Sequence, residues 1–177
     1  MEERSGEAFA GTEPLTVIGK QLQAGDPAPD FRLDYLDLAD QAVRTISLAD
    51  SRGMVRLLSV VNSLQRPVCQ HVTRRWEALS ADLPPDACIY TVSRDSPQMQ
   101  ASFQDMAGVL HQALSAELRE QFGQDYGVWL KEWRLFQRAV FVLDRADRIS
   151  YAEYVADQLS EPDYATAIQA VKQAAGQ

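Results

Sequence analysis

The sequence predicts an α/β protein with a mixed central sheet flanked by helices. Three observations predict it. Short runs rich in Val and Leu recur along the chain, the apolar period between them lengthens from two to that of a helix, and the segments follow in a telling order. That order is strand, helix, strand, helix, then a hairpin and a closing helix. At 177 residues the chain suits one domain of about 150 residues with a short tail.

Residues 1–13 carry Gly, Ser and Glu without periodicity and read as a flexible lead-in, which leaves 14–177 as the folded domain. Residues 15–18 form a short strand, half of a hairpin expected to turn at Gly19-Lys20. Two prolines stiffen the loop Gly25-Asp26-Pro27-Ala28-Pro29-Asp30. Residues 31–33 and 43–48 alternate as strands do. Residues 54–61 suit a central strand buried on both faces. Val72, Trp76, Leu79 and Leu83 then fall on one helix face, with Pro67 placed for the first turn and Pro84-Pro85 as the stop. Residues 87–92 return as a strand. A helix is expected from Ser96-Pro97 towards Ala107, and another over 117–122, ended by Gly123. Residues 139–143 and 148–154 read as strand, turn, strand. Ser160-Glu161-Pro162-Asp163 opens a last helix with Tyr164, Ile168 and Val171 on its apolar face. The order fits a thioredoxin-like fold with an N-terminal β-hairpin extension.

Composition narrows the function. Seventeen Lys+Arg against 25 Asp+Glu give a net charge of −8, so no basic excess is available for nucleic acid. Hydrophobic residues are 46% and charged residues 24%, enough for a core. Two cysteines and two histidines make neither a disulfide framework nor a metal site, and no cofactor is expected. The best apolar run, 54–61, is broken by Arg56 and falls short of the roughly 20 residues a membrane helix needs. The start, Met-Glu-Glu-Arg-Ser-Gly-Glu, is acidic and polar, so a cytoplasmic location is expected.

Cys69 is the chemically interesting residue. It follows the most buried strand and lies in the first turn of the next helix, where open α/β sheets gather functional groups. Unpaired backbone N–H groups and the helix dipole at such a place favour a thiolate, the reactive form. Arg66, His71 and Arg74 add positive charge nearby. Against this stands the habit of free cysteine to act as a small buried hydrophobe, the reading preferred for Cys88 in its core strand. His71 can serve as a base or as a surface or capping group. No Cys-x-x-Cys exists, which disfavours a general disulfide oxidoreductase.

The chain resembles the peroxiredoxins, and among them the thiol peroxidase branch. Ala24-Gly25-Asp26-Pro27-Ala28-Pro29-Asp30-Phe31 is similar to the family's Gly-Asp-x-Ala-Pro-Asp-Phe. Arg66-Pro67-Val68-Cys69 stands where the branch has Thr-Pro-Val-Cys. Phe122-Gly123-Gln124-Asp125-Tyr126-Gly127-Val128, Arg138-Ala139-Val140-Phe141-Val142-Leu143-Asp144 and Glu161-Pro162-Asp163-Tyr164 resemble later landmarks in the same order. The resemblance implies a hydroperoxide substrate, a Cys69 that becomes a sulfenic acid, and thioredoxin or another thiol as reductant. It also implies that Arg138 hydrogen-bonds thiolate and peroxide, and that the protein is a homodimer. Trp129, Trp133 and Phe136 are aromatic candidates for the dimer surface, although core packing explains them equally well.

Two departures qualify this. The family motif of Pro, three residues, Thr or Ser, two residues, Cys reads here as Asn62, Arg66 and Cys69. The motif hydroxyl both accepts and donates, whereas Arg66 only donates. Arg66 is therefore assigned an altered supporting role, by charge alone, by obstruction, or by turning outwards. The branch's usual resolving cysteine is also missing, with Gln104 nearest to its place. A one-cysteine peroxidase is the leading expectation, and a redox sensor or binding module that has kept only the fold is its rival.

Overall fold

The computed structural model describes residues 1–176. Seven strands form the main sheet: β3 (Arg32–Asp37), β4 (Ala42–Ser47), β5 (Val55–Val60), β6 (Ala87–Ser93), β7 (Gln112–Ser115), β10 (Ala139–Leu143) and β11 (Ile149–Tyr154). Their order is β11-β10-β5-β6-β7-β3-β4. Strands β5, β6 and β7 run parallel, and the outer strands join them antiparallel. The expected mixed sheet is present. Helices α1 (Pro67–Leu79) and α2 (Pro97–Ala107) provide the crossovers that parallel pairing needs. Short turns make β3–β4 and β10–β11 antiparallel hairpins, and β3–β7 and β5–β10 are antiparallel pairs between strands distant in sequence.

Every residue of β5 is buried, because β10 and β6 flank it and both of its faces are covered. Its alternation separates two cores. Leu58 and Val60 face Phe122, Tyr126, Phe136 and Phe141. Leu57 and Val61 face Val72 and Trp76 of α1 and Val171 of α4 (Tyr164–Ala174). Arg56, in the same strand and fully buried, is accommodated by the carbonyls of Ser51 at 3.0 Å and Met54 at 2.7 Å and by Asp147.

Three sequence expectations need correction. The lead-in is not irregular: β1 (Glu3–Ala10) pairs antiparallel with β2 (Glu13–Ile18). The strand is held by backbone bonds and by buried Arg4, which donates to the carbonyls of Gly19 and Gly127, so no apolar alternation advertises it. The hairpin therefore turns near Gly11 and not at Gly19-Lys20. Gly19 has φ +106°, and a Cβ there would strike the Gln124 carbonyl. Finally, the helix expected over 117–122 is displaced to α3 (Gln121–Asp125). Gly123 lies inside it, because a Cβ would come within 2.5 Å of the Phe136 ring; this glycine serves close packing, not termination.

Strands β8 (Trp129–Leu130) and β9 (Leu135–Phe136) extend the hairpin into a second sheet, ordered β1-β2-β8-β9. They are too short to carry a period. Trp129 and Phe136 are buried in the core, so neither is a surface for a partner. Among the described residues no helix is long and apolar enough to cross a membrane.

Candidate active site

At the carboxyl end of β5 the chain leaves the sheet through Val61-Asn62-Ser63-Leu64-Gln65 and enters α1. The loop is pinned by Asp95, whose carboxylate accepts from Ser63 Oγ at 2.7 Å, the Leu64 amide at 2.7 Å and Ser93 Oγ at 2.6 Å. Ser63 Oγ also accepts from the Gln65 amide at 3.2 Å, so its hydrogen bonds go to Asp95 and the loop backbone and not to Cys69, whose sulfur meets Asn62 and Arg138. Arg66 takes the extended N-cap position and Pro67 the first helical one, where a missing N–H is harmless. Cys69 follows as the third helical residue, with no exposed surface.

The Cys69 sulfur meets two groups. Arg138, between β9 and β10 and almost fully buried, donates from Nη1 to Sγ at 3.5 Å. Its Nη2 donates to the Gln158 carbonyl at 2.6 Å and to Asn62 Oδ1 at 3.3 Å. Asn62 Oδ1 in turn lies 3.9 Å from Sγ as acceptor for the thiol. The amide of Asn62 is oriented by its nitrogen, which donates to the Phe136 carbonyl at 2.6 Å and to Gln158 Oε1 at 3.1 Å. Gln158 Oε1 also accepts from the Arg138 backbone at 2.8 Å. Arg138 Nε is buried with no hydrogen-bond partner.

The sequence candidates thus separate. Cys69 and Arg138 are in contact. Arg66 is turned away, its guanidinium stacked over the Trp133 ring at 4.3 Å, and it lines an open cleft of about 580 Å³ with Gln65, Arg94 and Met99. His71 is exposed and pairs with Glu161 at 3.0 Å, which gives it a surface role. Asn62 appeared in the sequence only as a departure from a motif, and Gln158 and Asp95 gave no signal beyond being polar residues beside chain turns.

Cys88 belongs elsewhere. In β6 it alternates with Ile89, which packs on the α1 side, so it faces the opposite side of the sheet from Cys69. It is in register with Arg56, whereas Val92 is in register with Val60 near the active site; four residues of strand separate the two levels by about 13 Å. A disulfide needs Cα atoms within about 7 Å, so the folded chain does not join these two cysteines. Burial pushes the Cys88 thiol up, with Tyr90 and Arg56 pulling only partly back.

Fold and site together define a thiol-based redox protein of the peroxiredoxin type. The AhpC/TSA family model matches residues 24–152. A thiol peroxidase of Streptococcus sanguinis is 41% identical over 160 residues, covering 90% of this chain and 94% of that protein. A thiol peroxidase from Chromobacterium violaceum superposes with a TM-score of 0.79 at 25% identity over 100% of both chains. A peroxiredoxin-like protein from Aquifex aeolicus shares the fold with a TM-score of 0.83 at 23% identity, covering 97% of this chain and 99% of that one. The chain belongs to the AhpC/TSA family.

Proposed function

We propose that this chain is a thiol-dependent peroxidase of one-cysteine type, reducing hydrogen peroxide or organic hydroperoxides. The observation that carries the proposal is the Arg138 Nη1 contact to Cys69 Sγ at 3.5 Å, at a helix start in a family of such enzymes. The thiolate attacks the terminal peroxide oxygen, an S–O bond forms as the O–O bond breaks, and the leaving oxygen takes a proton to depart as water or alcohol. Sulfur is oxidised by two electrons to the sulfenic acid. An external thiol then attacks that sulfur, releasing water, and a second thiol frees Cys69. The guanidinium suits this chemistry because it is permanently charged and several of its donors converge on the site. Arg66 supports from a distance, as part of the cleft wall, with its guanidinium stacked on Trp133.

Thioredoxin or another thiol in the cytoplasm fits as reductant, since the position of Cys88 leaves the folded chain without an internal one. Homodimerisation rests on the family resemblance and is checked by analytical ultracentrifugation. A second reading is favoured by one observation, the complete burial of the thiol: a sensor that is oxidised without turning over. Peroxide consumption by wild type and Cys69→Ser, with mass spectrometry of Cys69, separates the two. Consumption lost in the variant supports the peroxidase, and oxidation of Cys69 without turnover supports the sensor. Turnover by the wild type that persists undiminished in Cys69→Ser, with Cys69 unoxidised, overturns both.

A further inference from the structure

Asn62 occupies a buried place where its side chain faces the reacting sulfur, and its orientation is not free. Both Nδ2 hydrogens are committed, one to the Phe136 carbonyl and one to Gln158 Oε1. Gln158 is itself fixed, because its own amide nitrogen donates to the carbonyls of Val155 at 2.8 Å and Ala156 at 3.0 Å. Turning the Asn62 amide over would set carbonyl against carbonyl. Oδ1 is therefore held towards Cys69 and Arg138. A carbonyl oxygen has two lone pairs; Arg138 Nη2 takes one, and the other faces the thiol.

We propose that Asn62 Oδ1 is a catalytic acceptor for the peroxide: it receives the O–H of the oxygen under attack and afterwards holds the O–H of the Cys69 sulfenic acid. This rests on the peroxidase reading and adds a group to it. The oxygen attacked by sulfur carries a hydrogen, and the O–O bond must lie in line with the sulfur for displacement. An acceptor beside Sγ fixes that hydrogen off the reaction axis, while the Arg138 donors hold the oxygens. The same lone pair meets the S–H of the resting thiol, so one acceptor serves thiol, peroxide and product in turn. Ser63 Oγ makes its hydrogen bonds elsewhere, donating to Asp95 and accepting from the Gln65 amide, and Arg66 has no acceptor to offer.

The test compares two reactions of Cys69. Sulfenic acid formation with hydrogen peroxide needs the acceptor; alkylation by iodoacetamide needs only the thiolate. In Asn62→Leu, and in Asn62→Pro, which installs the residue of the family motif, Arg138 keeps its anchor on the Gln158 carbonyl. The single-turnover peroxide rate is expected to fall at least about tenfold while alkylation changes less than about threefold. Two variants of different shape guard against a folding failure in one. Equal losses in both reactions, or an unchanged peroxide rate in a folded variant, overturns the role of Asn62 alone. A wild type that forms no sulfenic acid overturns the peroxidase reading itself.

Discussion

Arg138 reaches Cys69 Sγ through Nη1 at 3.5 Å while Nη2 of the same guanidinium is tied to the Gln158 carbonyl at 2.6 Å. One end of the fork faces the chemistry and the other is fixed to the loop between β11 and α4. The cation is therefore held in place before substrate arrives, so little reorganisation accompanies the reaction.

Arg138→Lys tests that fork. An ammonium keeps the charge, but as a point charge it does not span Sγ, Asn62 and Gln158 with fixed geometry. The second-order rate of peroxide reduction, followed by stopped-flow fluorescence, is expected to drop about 10²-fold. A lysine variant that reacts at the wild-type rate would mean that charge alone suffices.

Cys88→Ser is expected to leave peroxide consumption with dithiothreitol within about twofold of wild type, because Cys88 lies on the other sheet face and beyond disulfide reach. Mass spectrometry of the oxidised wild type should find no bond between Cys69 and Cys88. Finding that bond would place a large unfolding step in the catalytic cycle.

Gly123→Ala addresses packing behind the site. The new methyl would meet the Phe136 ring at 2.5 Å, and Phe136 contributes the carbonyl that receives Asn62 Nδ2 at 2.6 Å. Overpacking of this kind costs about 1–3 kcal/mol. Urea unfolding should show that loss, and a shift of the Phe136 backbone should lower the peroxide rate as well.

What the sequence disclosed follows from how each element is stabilised. Strand β5 and helix α1 announce themselves because burial imposes a period on Leu57, Leu58, Val72 and Trp76. Strand β1 does not, since Arg4 and a backbone ladder hold it. At the site, Cys69 is legible from its place at a helix start, and Arg138 only through the family resemblance. The amide network is illegible: Asn62 and Gln158 are 96 positions apart, and nothing local marks a buried carboxamide that is satisfied by a distant one.

The last prediction concerns pH and a partly buried pair outside the active site. His111 Nδ1 and Glu77 Oε1 are 2.8 Å apart, His111 Nε2 meets Thr91 Oγ1 at 2.8 Å, and the same Glu77 oxygen accepts the backbone amides of Leu110 and His111. Burial lowers the His111 imidazole below its ordinary value, with Glu77 restoring only part. Burial pushes the Glu77 carboxyl up, but the His111 and Leu110 hydrogen bonds outweigh it and leave the group below its ordinary value. Both shifts act in one direction. The unfolded chain binds protons at these groups more readily than the folded one, so stability falls as pH falls. The His111 contribution is lost first, below the free imidazole value of about 6.5, and the Glu77 contribution follows below about 4.3. Melting temperature measured from pH 7.5 to pH 3 is expected to decline across that range, and Glu77→Gln should flatten its lower part while lowering stability at neutral pH. A Glu77→Gln profile parallel to wild type would assign the acid sensitivity to other carboxylates.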